Sequence, residues 1–245
     1  MSQPTTDSLI NRLTDTLTYP DTPKHRDEPM SSNTAQSYGQ WIEEESFRRI
    51  EAEVEEPRPF QGEQWQVVRR MIHASADFDM LSLVRFHPGA VEAGKKALSA
   101  GRPLVADTEM TRSGLTGARI KGLGCETACY LNASEVAQRA GSSGRTRSDV
   151  AMEVAVRDCG KAVFVIGNAP TALEALLERV ASGEAAPALI IGMPVGFVGA
   201  SESKERLQTQ SEIPYITVSG RKGGSALAAS CLNALAELLR QEREA

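Results

Sequence analysis

Imidazole is scarce in this chain: three histidines occur among 245 residues. His25 lies in a polar N-terminal stretch, His87 precedes Pro88, and His73 sits near the end of the segment EQWQVVRRMIHAS. An imidazole exchanges a proton near neutral pH without any help from its surroundings, which makes His73 the best-placed acid or base. The bland alternative is a last-turn histidine that satisfies helix carbonyls and the helix dipole. Arg70 stands three residues earlier, on a similar face, and could pair with a substrate carboxylate. A solvated surface arginine fits that spacing equally well.

Three glycine-rich segments form a second group. GNAPT (167–171) supplies Asn168 as a candidate cap and Pro170 in a first helical turn, where a missing N–H costs little. GMPVGFVGASESK (192–204) ends near Ser201, another candidate cap, and GRKGGS (220–225) sets flexible backbone N–H groups beside Arg221 and Lys222, as an anion cradle would. Cys125 and Cys129 are spaced C-x₃-C, but zinc needs two further ligands, and neither a second cysteine pair nor clustered histidines accompany them. Asp77 and Asp79 read as a turn, and Glu43, Glu44 and Glu45 as a solvated helix face.

The common catalytic signatures are missing. GRKGGS lacks the GxxxxGK[ST] spacing, no GxGxxG opens a helix after a strand, and no GxSxG places a nucleophilic serine. These gaps disfavour a P-loop enzyme, a dinucleotide-dependent dehydrogenase and a serine hydrolase.

Two helices and a sheet must position these residues. Ile42, Phe47, Ile50 and Val54 form one helical stripe, and Trp65, Val68, Met71 and Ile72 form another. After Pro88 the pattern changes to short apolar runs at 103–107, 128–131, 161–167, 188–192 and 215–220. Helical patterns follow the last three, beginning after Asn168, Ala200 and Gly224. Continuous apolar strands alternating with helices predict an α/β fold: a three-layer α/β/α arrangement with a mainly parallel sheet and two leading helices. Ligands of such sheets gather outside the carboxyl ends of the strands, where the glycine-rich loops fall.

Composition narrows the class further. With 41% hydrophobic and 24% charged residues, the chain can bury one sizeable core. Residues 1–36, rich in Ser, Thr, Pro, Asp and Gln, read as a flexible extension ahead of a domain at 37–245. No run of eighteen apolar residues and no signal-like N-terminus appears, so a cytoplasmic protein without a membrane partner is expected. Four cysteines then read as reduced thiols. A net charge of −5 with no basic stripe gives nucleic acid no purchase.

Taken together, RRMIHASADFD (69–79), GNAPTAL (167–173), GMPVGFVGASESK (192–204) and GRKGGS (220–225) resemble the precorrin-8 methylmutase family in order and spacing. GQWIEEESF (39–47) and DTEMTRSGLTGARI (107–120) match as well, so the resemblance spans nearly all of the chain after residue 37. It implies a suprafacial 1,5-shift of the C-11 methyl of a corrinoid macrocycle to C-12, giving hydrogenobyrinate or cobyrinate, with no cofactor and no protein-bound metal. It also implies that His73 donates and accepts the proton and that Ser46, Arg70 and Arg119 contact the tetrapyrrole substrate. A homodimer is implied too. ADFD, CETACY and the lysine of GRKGGS look more like the branch that takes cobalt-precorrin-8 than the one that takes the metal-free substrate. A non-catalytic carrier of corrinoid intermediates, using the same cavity and basic residues, is the competing reading.

Overall fold

The apolar runs of the second half become strands of one six-stranded sheet, and the computed structural model describes residues 38–115, 117, 120 and 122–244. The extension expected over residues 1–36 lies outside the described residues, and so does Arg119. Two helices lead in, α1 (Tyr38–Glu53) and α2 (Gly62–Ser75). They are followed by α3 (Met80–Leu83), β1 (Val84–Phe86), α4 (Ala90–Ser99), β2 (Leu104–Ala106), α5 (Glu109–Gly114) and β3 (Thr127–Ala128). The remainder runs α6 (Ser134–Ser143), α7 (Arg147–Cys159), β4 (Val163–Ile166), α8 (Pro170–Ala181), β5 (Leu189–Gly192), α9 (Ala200–Thr209), β6 (Tyr215–Val218) and α10 (Ser225–Glu244). By internal packing the described residues fall into two units, divided between Glu43 and Glu44. In the first, the rings of Tyr38 and Trp41 stack with centroids 5.8 Å apart.

The strand order is β1-β6-β5-β4-β2-β3, parallel throughout except for β1 against β6. Every residue of β4, β5 and β6 is buried, as a sheet with both faces covered requires. Alternation divides them between two cores. Val163, Val165, Leu189, Ile191, Ile216 and Val218 face the core built with α2, α4 and α10, whereas Phe164, Ile166, Ile190 and Tyr215 face the one built with α7 and α8. The three-layer α/β/α arrangement with a mainly parallel sheet therefore holds.

The antiparallel edge strand β1 was not foreseen. Its three residues, VRF, carry no periodicity of their own, and pairing with β6 some 130 residues later fixes them, as in the Val84 to Val218 register. The run at 128–131 also yields less strand than expected, since only Thr127 and Ala128 pair with β2.

The α2 stripe decides where the candidate imidazole ends up. Val68, Met71 and Ile72 are fully buried against the α10 side of the sheet, each contributing about 1.5–3 kcal/mol of transfer energy. That seam fixes the direction of α2 and leaves its last turn, with His73, exposed.

Candidate functional site

The loops after β4, β5 and β6 meet backbone to backbone. Met193 N–H donates to Ile166 O at 2.7 Å, Gly224 N–H to Met193 O at 2.9 Å, and Gly196 N–H to Arg221 O at 3.2 Å. Two glycines allow this approach: a Cβ on Gly167 would lie 2.6 Å from Ser225 Cα, and one on Gly223 would lie 2.3 Å from Met193 O. Both are far inside van der Waals contact with backbone that cannot swing away. The glycine-rich segments noted in the sequence are thus one platform at the carboxyl edge of the sheet, where ligands of such folds gather.

Part of the backbone N–H supply in that platform is already committed. The carboxylate of Asp107, just past β2 and 3% exposed, accepts from Gly167 N–H at 3.1 Å, Asn168 N–H at 2.7 Å and Ala169 N–H at 2.8 Å, and from Thr111 Oγ1 at 2.9 Å. Asp107 therefore ties down residues 167–169, which lead into α8, and occupies donors that would otherwise be free to bind an anion. Two sequence readings are corrected here. The N-cap of α8 is Ala169, with no side-chain cap bond, so Asn168 is not the cap; Pro170 does take the first helical turn. The N-cap of α9 is Gly199 at φ 75°, and Ser201 Oγ donates to Glu205 at 2.9 Å instead of capping.

The α1–α2 corner brings the imidazole and the guanidinium together on one aromatic ring. Phe47 of α1 meets His73 edge-on with centroids 5.3 Å apart, and the Arg69 and Arg70 guanidiniums lie 4.4 and 5.1 Å from the same ring centre. Such cation–π contacts help to orient the two guanidiniums. Arg69 is held by Glu51 at 2.7 Å, and Glu51 also accepts from the Trp65 indole at 2.8 Å and pairs with Arg58. Burial pushes the Glu51 carboxyl up, but Trp65, Arg69 and Arg58 together hold it below the usual carboxylate range. Ser46 precedes Phe47 on α1 and is half-buried. Of the expected site residues, the structure gathers Arg70 and His73 at Phe47 and places Ser46 next to Phe47 in the chain; Arg119 is not described.

The turn after α2 reaches the platform. Asp79 N–H donates to Asp77 Oδ1 at 3.0 Å, the turn expected of the pair, and both carboxylates hold Lys222 Nζ at 2.6 Å. Those bonds occupy the Lys222 ammonium, which therefore does not serve as a cradle for an outside anion in this structure. Its neighbour Arg221 lies 5.4 Å from the Phe197 ring centre, and Phe197 and Val198 are 84% and 87% exposed. The edge thus combines an exposed imidazole, guanidinium groups and uncovered apolar side chains.

Sequence reasoning missed Phe47 as the common contact, Asp107 as the acceptor that holds the loop before α8, and the bond between Lys222 and the aspartates. A strand ending in aspartate beside a glycine-rich loop was the available signal for Asp107. The thiols of Cys125 and Cys129 are half-buried, and burial pushes both pKa values up, away from the thiolate a metal would need. No group of three or more metal-ligating side chains occurs among the described residues.

The family model of precorrin-8X methylmutase matches residues 41–238. The cobalt-precorrin-8 methylmutase of Priestia megaterium is 44% identical over 199 residues, covering 81% of this chain and 88% of that protein. The precorrin-8X methylmutase of Pseudomonas aeruginosa is 46% identical over 199 residues, covering 81% and 95%. The crystal structure of precorrin-8x methyl mutase from Thermus thermophilus superposes with a TM-score of 0.78 at 44% identity, over 83% of this chain and 98% of that one. The chain therefore belongs to the precorrin-8X methylmutase family, whose members are isomerases.

Proposed function

We propose that the protein moves the C-11 methyl group of precorrin-8 to C-12, a step of cobalamin biosynthesis, with His73 as the group that gives and takes the proton. The supporting observation is the exposed His73 imidazole held at the Phe47 ring beside the Arg70 guanidinium, on an edge that also carries uncovered Phe197 and Val198. In this isomerisation the bond from C-11 to the methyl carbon breaks, the bond from C-12 to it forms, and the macrocycle redistributes its double bonds. No atoms or electrons are lost. A proton shared with the ring system during the shift lowers the cost of that redistribution, and an imidazole can share it near neutral pH. Arg70, with Ser46 and Arg119, binds the carboxylate-bearing periphery, and Phe197 and Val198 receive the flat apolar face.

We assign the cobalt-bearing macrocycle as the substrate, on the ADFD and CETACY segments and the lysine of GRKGGS. The metal belongs to the substrate and needs no site in the protein. Identity to the two kinds of relative is similar, 44% and 46%, so the assignment rests on those segments. We also propose a homodimer acting in the cytoplasm, with residues 1–36 as a dispensable extension. The exposed Val195, Phe197 and Val198 give a second copy or a bound macrocycle an apolar surface to cover.

The test is single-turnover incubation of the pure protein with the substrate labelled by ¹³C in the C-11 methyl, with and without cobalt. The expected result is a labelled methyl at C-12 and a changed macrocycle absorbance, faster with cobalt. Tight binding with no movement of the label would establish the carrier reading instead. Label movement only with the metal-free substrate would overturn the cobalt assignment alone.

A further inference from the structure

The polar groups between α9 and the end of α2 form a continuous chain. It begins inside the protein, where Lys204 of α9 is completely buried and its Nζ donates to Lys222 O at 2.6 Å. The same residue's side chain then leaves the loop, and its Nζ donates to Asp77 Oδ2 and Asp79 Oδ2, both at 2.6 Å. One lysine is thus gripped at its main chain from below and grips two carboxylates with its side chain above.

What it grips is the turn that follows His73. Between His73 and Asp77 the chain passes through Ala76 at φ 51°, the one described residue other than glycine in the left-handed region. An alanine there is disfavoured relative to glycine and persists only where the surroundings hold it. Its N–H closes the helix on Ile72 O at 2.7 Å. Apart from the contact of His73 with the Phe47 ring, the end of α2 and the turn after it are largely exposed, so packing does little to hold residues 74–79. Lys222 supplies the hold from outside the helix.

We propose that Lys222 is a positioning residue for the methyl shift: by clamping Asp77 and Asp79 from a main chain anchored on Lys204, it fixes the α2 terminus so that His73 is presented to the platform of glycine-rich loops. The proposal rests on the reading of His73 as the acid–base group. It assigns Lys222 to the protein's own carboxylates and not to those of the substrate, although a basic residue at a polyanion site invites the opposite assignment.

The two assignments separate in a mutant cycle of Lys222→Met, the double variant Asp77→Asn/Asp79→Asn, and their combination. Lys222 and Asp79 are exposed and Asp77 is half-buried, and thermal melts check that the variants fold. A clamp requires Lys222→Met to slow single turnover by about 10- to 100-fold, the scale of a small misplacement of a catalytic group. Substrate affinity should stay within about twofold, because binding contacts are untouched. The double aspartate variant should reproduce that loss, the combination should add little to it, and Lys222→Arg should restore most of the rate.

If Lys222 instead binds substrate directly, Lys222→Met weakens affinity, and the double aspartate variant binds as well as or better than the parent; that pattern would overturn the clamp. Hydrogen exchange of the amides at 74–79 reads the clamp without turnover and should quicken about tenfold in both variants. Unchanged exchange would also overturn it. His73→Ala run alongside keeps the two ideas apart. Full turnover by His73→Ala would remove the acid–base reading, while faster exchange would still report the clamp; a slow His73→Ala with a fast Lys222→Met would remove the clamp alone.

Discussion

Lys95 and Lys204 are both withdrawn from water, 5% and 0% exposed, yet their surroundings treat the ammonium in opposite ways. Lys95, on α4, meets Glu63 of α2 at 2.7 Å, Glu92 of its own helix at 3.3 Å and Glu242 of α10. Desolvation works against its charge, but Glu242, Glu63 and Glu92 more than compensate, and its pKa rises. Lys204 faces a single backbone carbonyl across a 2.6 Å bond, and burial pushes its pKa down to about 8. The lesson is that burial alone says little about a lysine, because the charge of its partners decides whether it braces the fold or burdens it. Lys95 ties α2, α4 and α10 together, whereas Lys204 carries an unneutralised charge in order to anchor the loop of Lys222.

The largest effect expected from this difference is in the pH dependence of stability. Below about pH 8 Lys204 is charged in both the folded and unfolded chains, and the folded chain bears the full desolvation cost. Between about 8 and the ordinary lysine value of 10.5, the unfolded chain holds a proton that the folded chain has released, so stability rises with pH through that window. The difference of about 2.5 pH units corresponds to about 3 kcal/mol. Chemical denaturation of the parent and Lys204→Met at pH 7 and pH 10.5 should show the parent gaining about that much relative to the variant. A constant difference across the window would mean that Lys204 keeps its proton in the folded protein up to the ordinary lysine value, so that burial does not lower its pKa.

Lys95→Met should have a smaller effect of opposite sense, destabilising the protein at pH 7 by about 2 kcal/mol, the scale of hydrogen bonds to a charged group. Its raised pKa keeps this contribution in place below 10.5, so the loss should be the same at pH 7 and pH 9. A Lys95→Met variant as stable as the parent would erase the contrast between the two lysines.

Local patterning was legible in the sequence, and pairing across distance was not. The α2 stripe of Trp65, Val68, Met71 and Ile72 fixed that helix and its buried face, and the apolar runs marked β4, β5 and β6, because period and continuity are properties of neighbouring residues. The strand β1 escaped notice because β6 defines it. Asn168 and Ser201 looked like caps by the local rule, but the N-caps are Ala169 and Gly199, and the Asn168 N–H donates to Asp107, 61 residues earlier in the chain. At the site, family motifs selected Ser46, Arg70 and His73, while Phe47, which brings Arg70 and His73 together, read only as one member of an apolar helical stripe. The two buried lysines are indistinguishable in sequence, since what separates them is which carboxylates the fold brings near.

The central claim is that His73 moves a proton during the methyl shift and is not merely part of a binding surface. His73→Asn keeps a polar side chain of similar size beside Phe47 and removes the titratable ring. Single-turnover conversion by this variant, followed by macrocycle absorbance beside a binding titration on the same preparation, tests the claim directly. The expected result is affinity within a few-fold of the parent and conversion slowed by roughly 10²- to 10⁴-fold, the usual loss for a general acid or base. Conversion at near the parent rate, with affinity intact, would contradict the account.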